Sequence, residues 1–256
     1  MIMKTPADTL RFSGDSTLLN ATPLDATPLN ATPLNATPSE ATLPDASQSN
    51  VGPTLYLASQ SPRRVELLQQ LGLQFEKLCI DVNEARNSGE LPEDFVGRLG
   101  LDKAMAGYRA LIDQPLSSLP AVPFAVLGAD TIVVCDDDIL GKPAGEADAG
   151  KMLQLLSGRT HHVYTSVSVI SSDVSGSYSV HSITNKTQVT FRTIEPEEVK
   201  WYWSSGEPSD KAGAYGIQGL GAIFVSCIKG SYSSVVGLPL FETSQLLSEL
   251  GFHFKS

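Results

Sequence analysis

Between Asn20 and Asn50 the chain repeats every five residues, as ATPLD, ATPLN, ATPLN, ATPSE, ATLPD and ASQSN. A right-handed pentapeptide β-helix has the same period, but Pro23, Pro28, Pro33 and Pro38 would each remove one backbone donor from its ladder. The composition therefore predicts a disordered extension over residues 1–52. Folding is confined to residues 53–256, which is one domain in size. In the first 50 residues Lys4 and Arg11 face Asp8, Asp15, Asp25, Glu40 and Asp45, a net −3 that leaves −7 for the other 206.

The whole chain carries 18 Lys+Arg against 28 Asp+Glu, a formal charge of −10. Neutralisation of a nucleic-acid backbone has no global source here, so no nucleic-acid partner is expected, and a phosphate-bearing ligand needs a local cationic pocket. Cys79, Cys135 and Cys227 are odd in number and contain no CxxC pair, which supports neither a disulfide framework nor a thiolate zinc site. Free thiols suit a reducing cytosol. No apolar run approaches the ~20 residues of a membrane span, and no charged segment followed by an apolar one opens the chain. A cytoplasmic protein without a membrane partner is expected.

From Thr54 onward strands and helices interleave. Leu55–Ala58 reads as a buried strand, followed by Ser-Pro punctuation and then Val65, Leu67, Leu68 and Leu71 at helical spacing. Phe75–Ile80 reads as a second strand. A long helix is predicted over Pro92–Ile112, opening on Pro92, Glu93 and Asp94. The apolar run Val122–Val134 is interrupted by Gly128-Ala129-Asp130-Thr131, which suggests two strands or one bent strand, before an acidic turn at Asp136–Asp138. Further helices are expected at Glu146–Leu156, Pro196–Ser204 and Pro239–Leu250. Thr160–Ile170 and Tyr178–Thr193 read as paired strands, and Ala222–Ile228 as a last one after the glycine-rich stretch Gly213–Gly221. The irregular order predicts an α/β fold with a mixed twisted sheet, flanking helices and a central cleft, not a regular doubly wound one.

Several residues are odd as pure structure. Ser61 and Pro62 suit a helix start, yet Arg63 and Arg64 then place two cations in its first turn, against the helix dipole. Either an anion sits there or acidic neighbours and solvent answer them. Asp130 lies in an otherwise apolar run, where an unpartnered carboxylate is expensive to bury; a metal ion, a lysine, or the Thr131 hydroxyl with nearby amides could compensate it. Glu84 by itself reads as a solvated loop residue, and Lys103, inside the long helix, points into a cleft or into water. Gly141-Lys142-Pro143 places a lysine in a stiff turn that points into a cleft or into water. In Asp210-Lys211-Ala212-Gly213-Ala214-Tyr215-Gly216-Ile217-Gln218-Gly219 the glycines permit close backbone approach to a ligand, and the Gln218 amide offers a donor and an acceptor. The same stretch also reads as a plain connection between strands. No GxSxG, HExxH or GxxxxGK[ST] motif is present, and His161 and His162 read as surface or packed strand residues. Trp201 and Trp203 read as core or lid.

Together with Ala58-Ser59-Gln60-Ser61-Pro62-Arg63-Arg64 and Val235-Val236-Gly237-Leu238-Pro239, these motifs resemble, in order and spacing, the Maf family of nucleoside triphosphate pyrophosphatases. The resemblance covers about Thr54 to Leu250. It implies an inosine triphosphate pyrophosphatase-like fold with a deep cleft, a homodimer, and hydrolysis of a nucleoside triphosphate to monophosphate and pyrophosphate with a divalent cation, Mg or Mn. By motif it implies Asp130 as general base, Glu84 and Asp130 as metal ligands, and Arg64, Lys103, Lys142 and Lys211 as phosphate-cleft cations. Arg63, Thr131 and Gln218 match positions associated with base selection, and the Ser61–Arg64 and Tyr215–Gly219 segments look like the dTTP/UTP branch. A 7-methyl-GTP pyrophosphatase and a non-catalytic septation regulator are the alternatives. Gly100 and Asp102 depart from the usual Ala and Glu before Lys103, which puts the rigidity of the long helix in question. Ser233-Ser234 stands where an Asn is common.

Because the proline-bearing repeat predicts no contribution to the core, a chain starting at Gly52 should retain melting temperature and turnover, as checked by thermal denaturation and a pyrophosphate-release assay. Loss of soluble, active protein would reject the boundary.

Overall fold

The computed structural model describes residues 52–114, 123–173 and 177–254. The repeat and Val122 lie outside them. Seven strands form one sheet: β1 (Thr54–Ala58), β2 (Phe75–Lys77), β3 (Phe124–Cys135), β4 (Asp138–Leu140), β5 (Thr160–Ser172), β6 (Tyr178–Phe191) and β7 (Val225–Lys229). Their order is β2-β1-β3-β5-β6-β7, with β4 also on β3. β1 runs parallel to β2 and β3, and every other pairing is antiparallel, so the sheet is mixed as expected. Six helices accompany it: α1 (Pro62–Gln70), α2 (Pro92–Ile112), α3 (Glu146–Leu156), α4 (Pro196–Ser204), α5 (Tyr232–Val236) and α6 (Leu240–Glu249). No helix among the described residues is long and apolar enough to cross a membrane.

Strand alternation sorts the core into two layers. Leu55 and Leu57 of β1, with Ala125, Leu127, Ala129, Val133 and Cys135 of β3, join the buried faces of α1, α3, α4 and α6. Tyr56, Ala58, Phe124 and Val126 face α2 through Ala104, Tyr108 and Leu111. Further along the same face, Ile132 and Val134 meet Phe95, Val96 and Leu99. By that alternation Asp130 points towards α2 and Thr131 towards the opposite layer.

Gly128-Ala129-Asp130-Thr131 does not interrupt the apolar run. β3 is one strand of twelve residues, held in unbroken register by β5 from Phe124↔Ser172 to Val134↔His162. Gly128 serves helix packing: a Cβ there would lie 2.3 Å from the Ala104 nitrogen and 2.6 Å from the Gly100 carbonyl oxygen. α2 therefore lies almost on the strand, one residue away from Lys103. The departures from the family pattern leave α2 continuous over 21 residues. Gly100 accommodates Ser166, whose Oγ would be 3.0 Å from a Cβ at that position, and Asp102 pairs with Arg98 one turn earlier at 3.3 Å.

Other expectations shift. β2 ends at Lys77, three residues before Ile80. β7 starts at Val225 because Leu220–Phe224 forms a 3-10 turn, and α5 was not anticipated. His161 is fully buried against Phe191 and Tyr215, and burial pulls its imidazole down to about 4, so it is a neutral, packed strand residue. Trp203 packs against the core, while Trp201 is exposed and no lid over the cleft.

Gly128→Ala should lower the unfolding free energy by roughly 3 kcal/mol, the upper end of overpacking effects, because backbone is what a methyl would strike. Chemical denaturation checks this; an unchanged midpoint would show that α2 is free to retreat.

Candidate active site

The cleft begins where the sheet changes partners. β1 pairs with β3 only as far as Ala58↔Gly128, and β4 joins from Val133↔Leu140. Between them Ala129–Ile132 has no strand neighbour on that side, at the carboxyl end of β1, the position where α/β sheets open for ligands. A cavity of about 1080 Å³ occupies the gap. All nine residues singled out by the sequence line it: Arg63, Arg64, Glu84, Lys103, Asp130, Thr131, Lys142, Lys211 and Gln218.

On the α2 side a lysine compensates Asp130. Lys103 Nζ lies 2.6 Å from Asp130 Oδ1 and 2.7 Å from Glu84 Oε1, which reaches in from the loop after β2. Asp130 is 8% exposed, so this pairing keeps its charge from being buried without a partner. Partial burial pushes the Glu84 carboxyl up, but the Lys103 hydrogen bond and charge, then Lys142 and Arg64, outweigh it and leave it below the ordinary range.

On the opposite face the two arginines have separate roles. Arg64 is turned inward: its Nε donates to the Gly237 carbonyl at 2.9 Å, and its Nη2 to Thr131 Oγ1 at 3.1 Å. Burial lowers its affinity for the proton, an effect that the Asp130 charge opposes. Thr165 Oγ1 donates to the Ser234 carbonyl at 2.7 Å and lies 3.0 Å from Thr131 Oγ1. The Thr131 hydroxyl must then donate to Thr165 while accepting from Arg64, which gives the chain one direction. Arg63 stays half-exposed, 3.4 Å from Asp210. Ser61 stands at the helix start, but its side chain makes no cap.

Lys211 Nζ donates to Asp210 Oδ1 and to the Glu207 carbonyl, both at 2.7 Å. Gly213 N–H donates to the Gly141 carbonyl at 3.0 Å, which brings the Lys142 turn against the Lys211 loop. Gln218 is exposed and lines the cavity. Among the described residues neither Lys142 nor the Gln218 amide has a hydrogen bond, so both are available to a ligand.

Two cleft residues were missed by the sequence reading. Asp210, the first residue of its motif, bridges Arg63 and Lys211, and burial of its carboxyl is outweighed by both cations, which hold it low. Glu207, three residues earlier, holds the glycine-rich loop. An acidic residue beside a run of glycines was the only available signal.

The donor set fits a hard divalent cation. Glu84 and Asp130 offer carboxylate oxygens beside one another, and Mg²⁺ commonly takes one or two protein carboxylates with phosphate oxygens completing its shell. No cluster of three or more His, Cys, Asp or Glu among the described residues forms a metal cage of its own.

Comparison with known proteins places the chain among relatives. The Maf-like protein family matches residues 54–250. A dTTP/UTP pyrophosphatase of Pseudoalteromonas atlantica and one of Vibrio parahaemolyticus are each 50% identical over 196 residues, 77% of this chain and 96% of theirs. One of Saccharophagus degradans is 53% identical over 193 residues, 75% of this chain and 87% of its own. The Staphylococcus aureus Ham1 protein overlaps the structure in part, with a TM-score of 0.30 and 14% identity over 54% of this chain and 72% of that one. The motifs line one cleft and the family match spans residues 54–250, so the chain belongs to the Maf-like protein family.

Proposed function

We propose that this chain hydrolyses nucleoside triphosphates at the α,β phosphoanhydride, releasing monophosphate and pyrophosphate, with dTTP and UTP as preferred substrates. The observation that carries the reading is one cavity holding the Glu84–Lys103–Asp130 cluster together with Arg63, Arg64, Lys142 and Lys211. The names of relatives at 50–53% identity support the substrate class. A cytoplasmic homodimer belongs to the same reading, supported by the family resemblance.

In the reaction, water attacks the α-phosphorus, the bond to the α,β bridging oxygen breaks, and its electron pair leaves with pyrophosphate. Asp130 takes the proton at Oδ2, the oxygen that Lys103 does not engage. Lys103 keeps both carboxylates in place. Glu84 and Asp130 would hold the divalent cation, which supplies charge neutralisation at the phosphate and a more acidic water. Lys142 and Lys211 neutralise the departing pyrophosphate, as fixed cations do in phosphoryl transfer.

Gln218 reads the base. A thymine or uracil edge presents carbonyl acceptors beside an N3–H donor, and one amide satisfies an acceptor and that donor together. Cytosine, with an unprotonated N3 and an amino group, leaves a mismatch to an amide held in that same orientation, which hydrogen-bonding sites reject strongly.

A panel of nucleoside triphosphates with Mg²⁺ or Mn²⁺ should give pyrophosphate, with kcat/KM highest for dTTP and UTP. Orthophosphate release would overturn the reaction, and preference for 7-methyl-GTP would overturn the base assignment. Asp130→Asn should lower kcat at least about 100-fold with the fold intact, the scale of a lost general base; near-normal turnover would remove Asp130 from the chemistry. Gln218→Ala should narrow the dTTP-to-CTP gap in kcat/KM more than it lowers kcat for dTTP.

A further inference from the structure

The glycines of the 213–221 loop read either as room for a ligand or as a plain connection between strands. Three of them instead admit side chains of this chain. A Cβ on Gly219 would lie 2.1 Å from Glu207 Oε2, one on Gly221 2.5 Å from the Tyr202 hydroxyl, and one on Gly216 2.8 Å from the Lys211 stem. Backbone and carboxylate are in direct contact along the loop.

Glu207 uses both carboxylate oxygens there. Oε2 accepts from Leu220 N–H at 2.7 Å, and Oε1 accepts from Gly221 N–H at 3.1 Å and from the Tyr202 hydroxyl at 2.7 Å. The fully buried Tyr202 hydroxyl accepts in turn from Gly216 N–H at 3.0 Å. The clamp therefore closes on Gly216 at one side and on Leu220 and Gly221 at the other. Only Ile217, Gln218 and Gly219 lie between. Ile217 is anchored in the core, which leaves Gln218 presented to the cleft. The Glu207 backbone carbonyl also holds Lys211 Nζ.

We propose that Glu207, acting with Tyr202, is the positioning residue for base discrimination: it fixes the backbone on both flanks of Gln218 so that the amide meets the base edge at one height and angle. The inference rests on the base-reading role assigned to Gln218. Glu207 itself touches no reacting atom. Burial raises the Glu207 carboxyl, but the Tyr202, Gly221 and Leu220 donors and the Lys211 charge together hold it below its ordinary range, so the anion that this geometry needs is the form present at neutral pH.

Glu207→Gln isolates the role. A glutamine amide has the same shape, but in either orientation its NH₂ faces a backbone N–H, of Leu220 or of Gly221, and one bond of the clamp is lost. The dTTP-to-CTP ratio of kcat/KM should fall about tenfold, the scale of one lost buried hydrogen bond. KM for dTTP should rise while kcat falls less. Tyr202→Phe, which keeps the ring and removes the hydroxyl, should move the ratio in the same direction and covers the case in which Glu207→Gln does not fold. In a double-mutant cycle Glu207→Gln should add little to the selectivity lost in Gln218→Ala, since one acts through the other.

An unchanged ratio in folded Glu207→Gln and Tyr202→Phe, an equal loss on every substrate, or additive effects with Gln218→Ala would each overturn the proposal. Failure of the functional reading looks different: the unsubstituted chain would then lack the dTTP/UTP preference before any variant is made.

Discussion

A carboxylate in the middle of a buried twelve-residue strand is the constraint around which the rest of this molecule is arranged. Asp130 cannot leave the sheet, because β5 holds the strand on both sides of it. A cation must come to it. α2 delivers Lys103, and it does so because Gly128 lets the helix backbone sit against the strand two residues away. Glu84 completes the arrangement from the opposite rim. Removing one partner from such a group typically costs about 3–5 kcal/mol, since the remaining charge stays buried and unpaired. The sheet–helix contact and the acidic side of the cleft therefore share the Lys103–Asp130 pair.

The two adjacent arginines show how strand alternation distributes function. Arg64 and Thr131 meet on the face opposite Lys103 and Asp130, so one strand separates an arginine–hydroxyl network from a lysine–carboxylate one within two residues. Arg64 also donates to Gly237 and so ties the Val235–Pro239 motif to the start of α1. A cation in the first turn opposes the helix dipole. Its three hydrogen-bond acceptors within the protein, Gly237, Thr131 and Ser59, account for its presence there without a bound anion.

Much of this was readable in the sequence. Pro92, Glu93 and Asp94 marked the start of α2 correctly, and its expected end at Ile112 also holds, because local propensity and long-range packing agree there. Gly128-Ala129-Asp130-Thr131 left two strands or one bent strand open, since glycine and aspartate usually punctuate strands, and the structure has one strand there. Here the glycine answers to a helix crossing and the aspartate to a lysine 27 residues away, neither of which is local information. The same holds for Glu207 and Asp210, whose roles depend on loops folded back onto them. β7 was displaced by three residues because Leu220–Phe224 is apolar enough for a strand but is held in a 3-10 turn by Glu207. Which motifs would share a cavity came from the resemblance; spacing alone left each of them ambiguous.

The cleft also bears on how a polyanion enters a protein of net negative charge. Arg63, Arg64, Lys103, Lys142 and Lys211 line it, but so do Glu66, Asp81, Glu84, Asp130, Glu207 and Asp210. The cleft is not a reservoir of bare positive charge. Arg63 and Lys211 already share Asp210, and Lys103 already holds two carboxylates. An arriving triphosphate must exchange partners, taking cations from carboxylates that then either turn to water or accept a metal ion brought with it. Affinity in such a site is a difference between two well-paired states, so it depends on the countercharge that accompanies the ligand as much as on the cations that receive it.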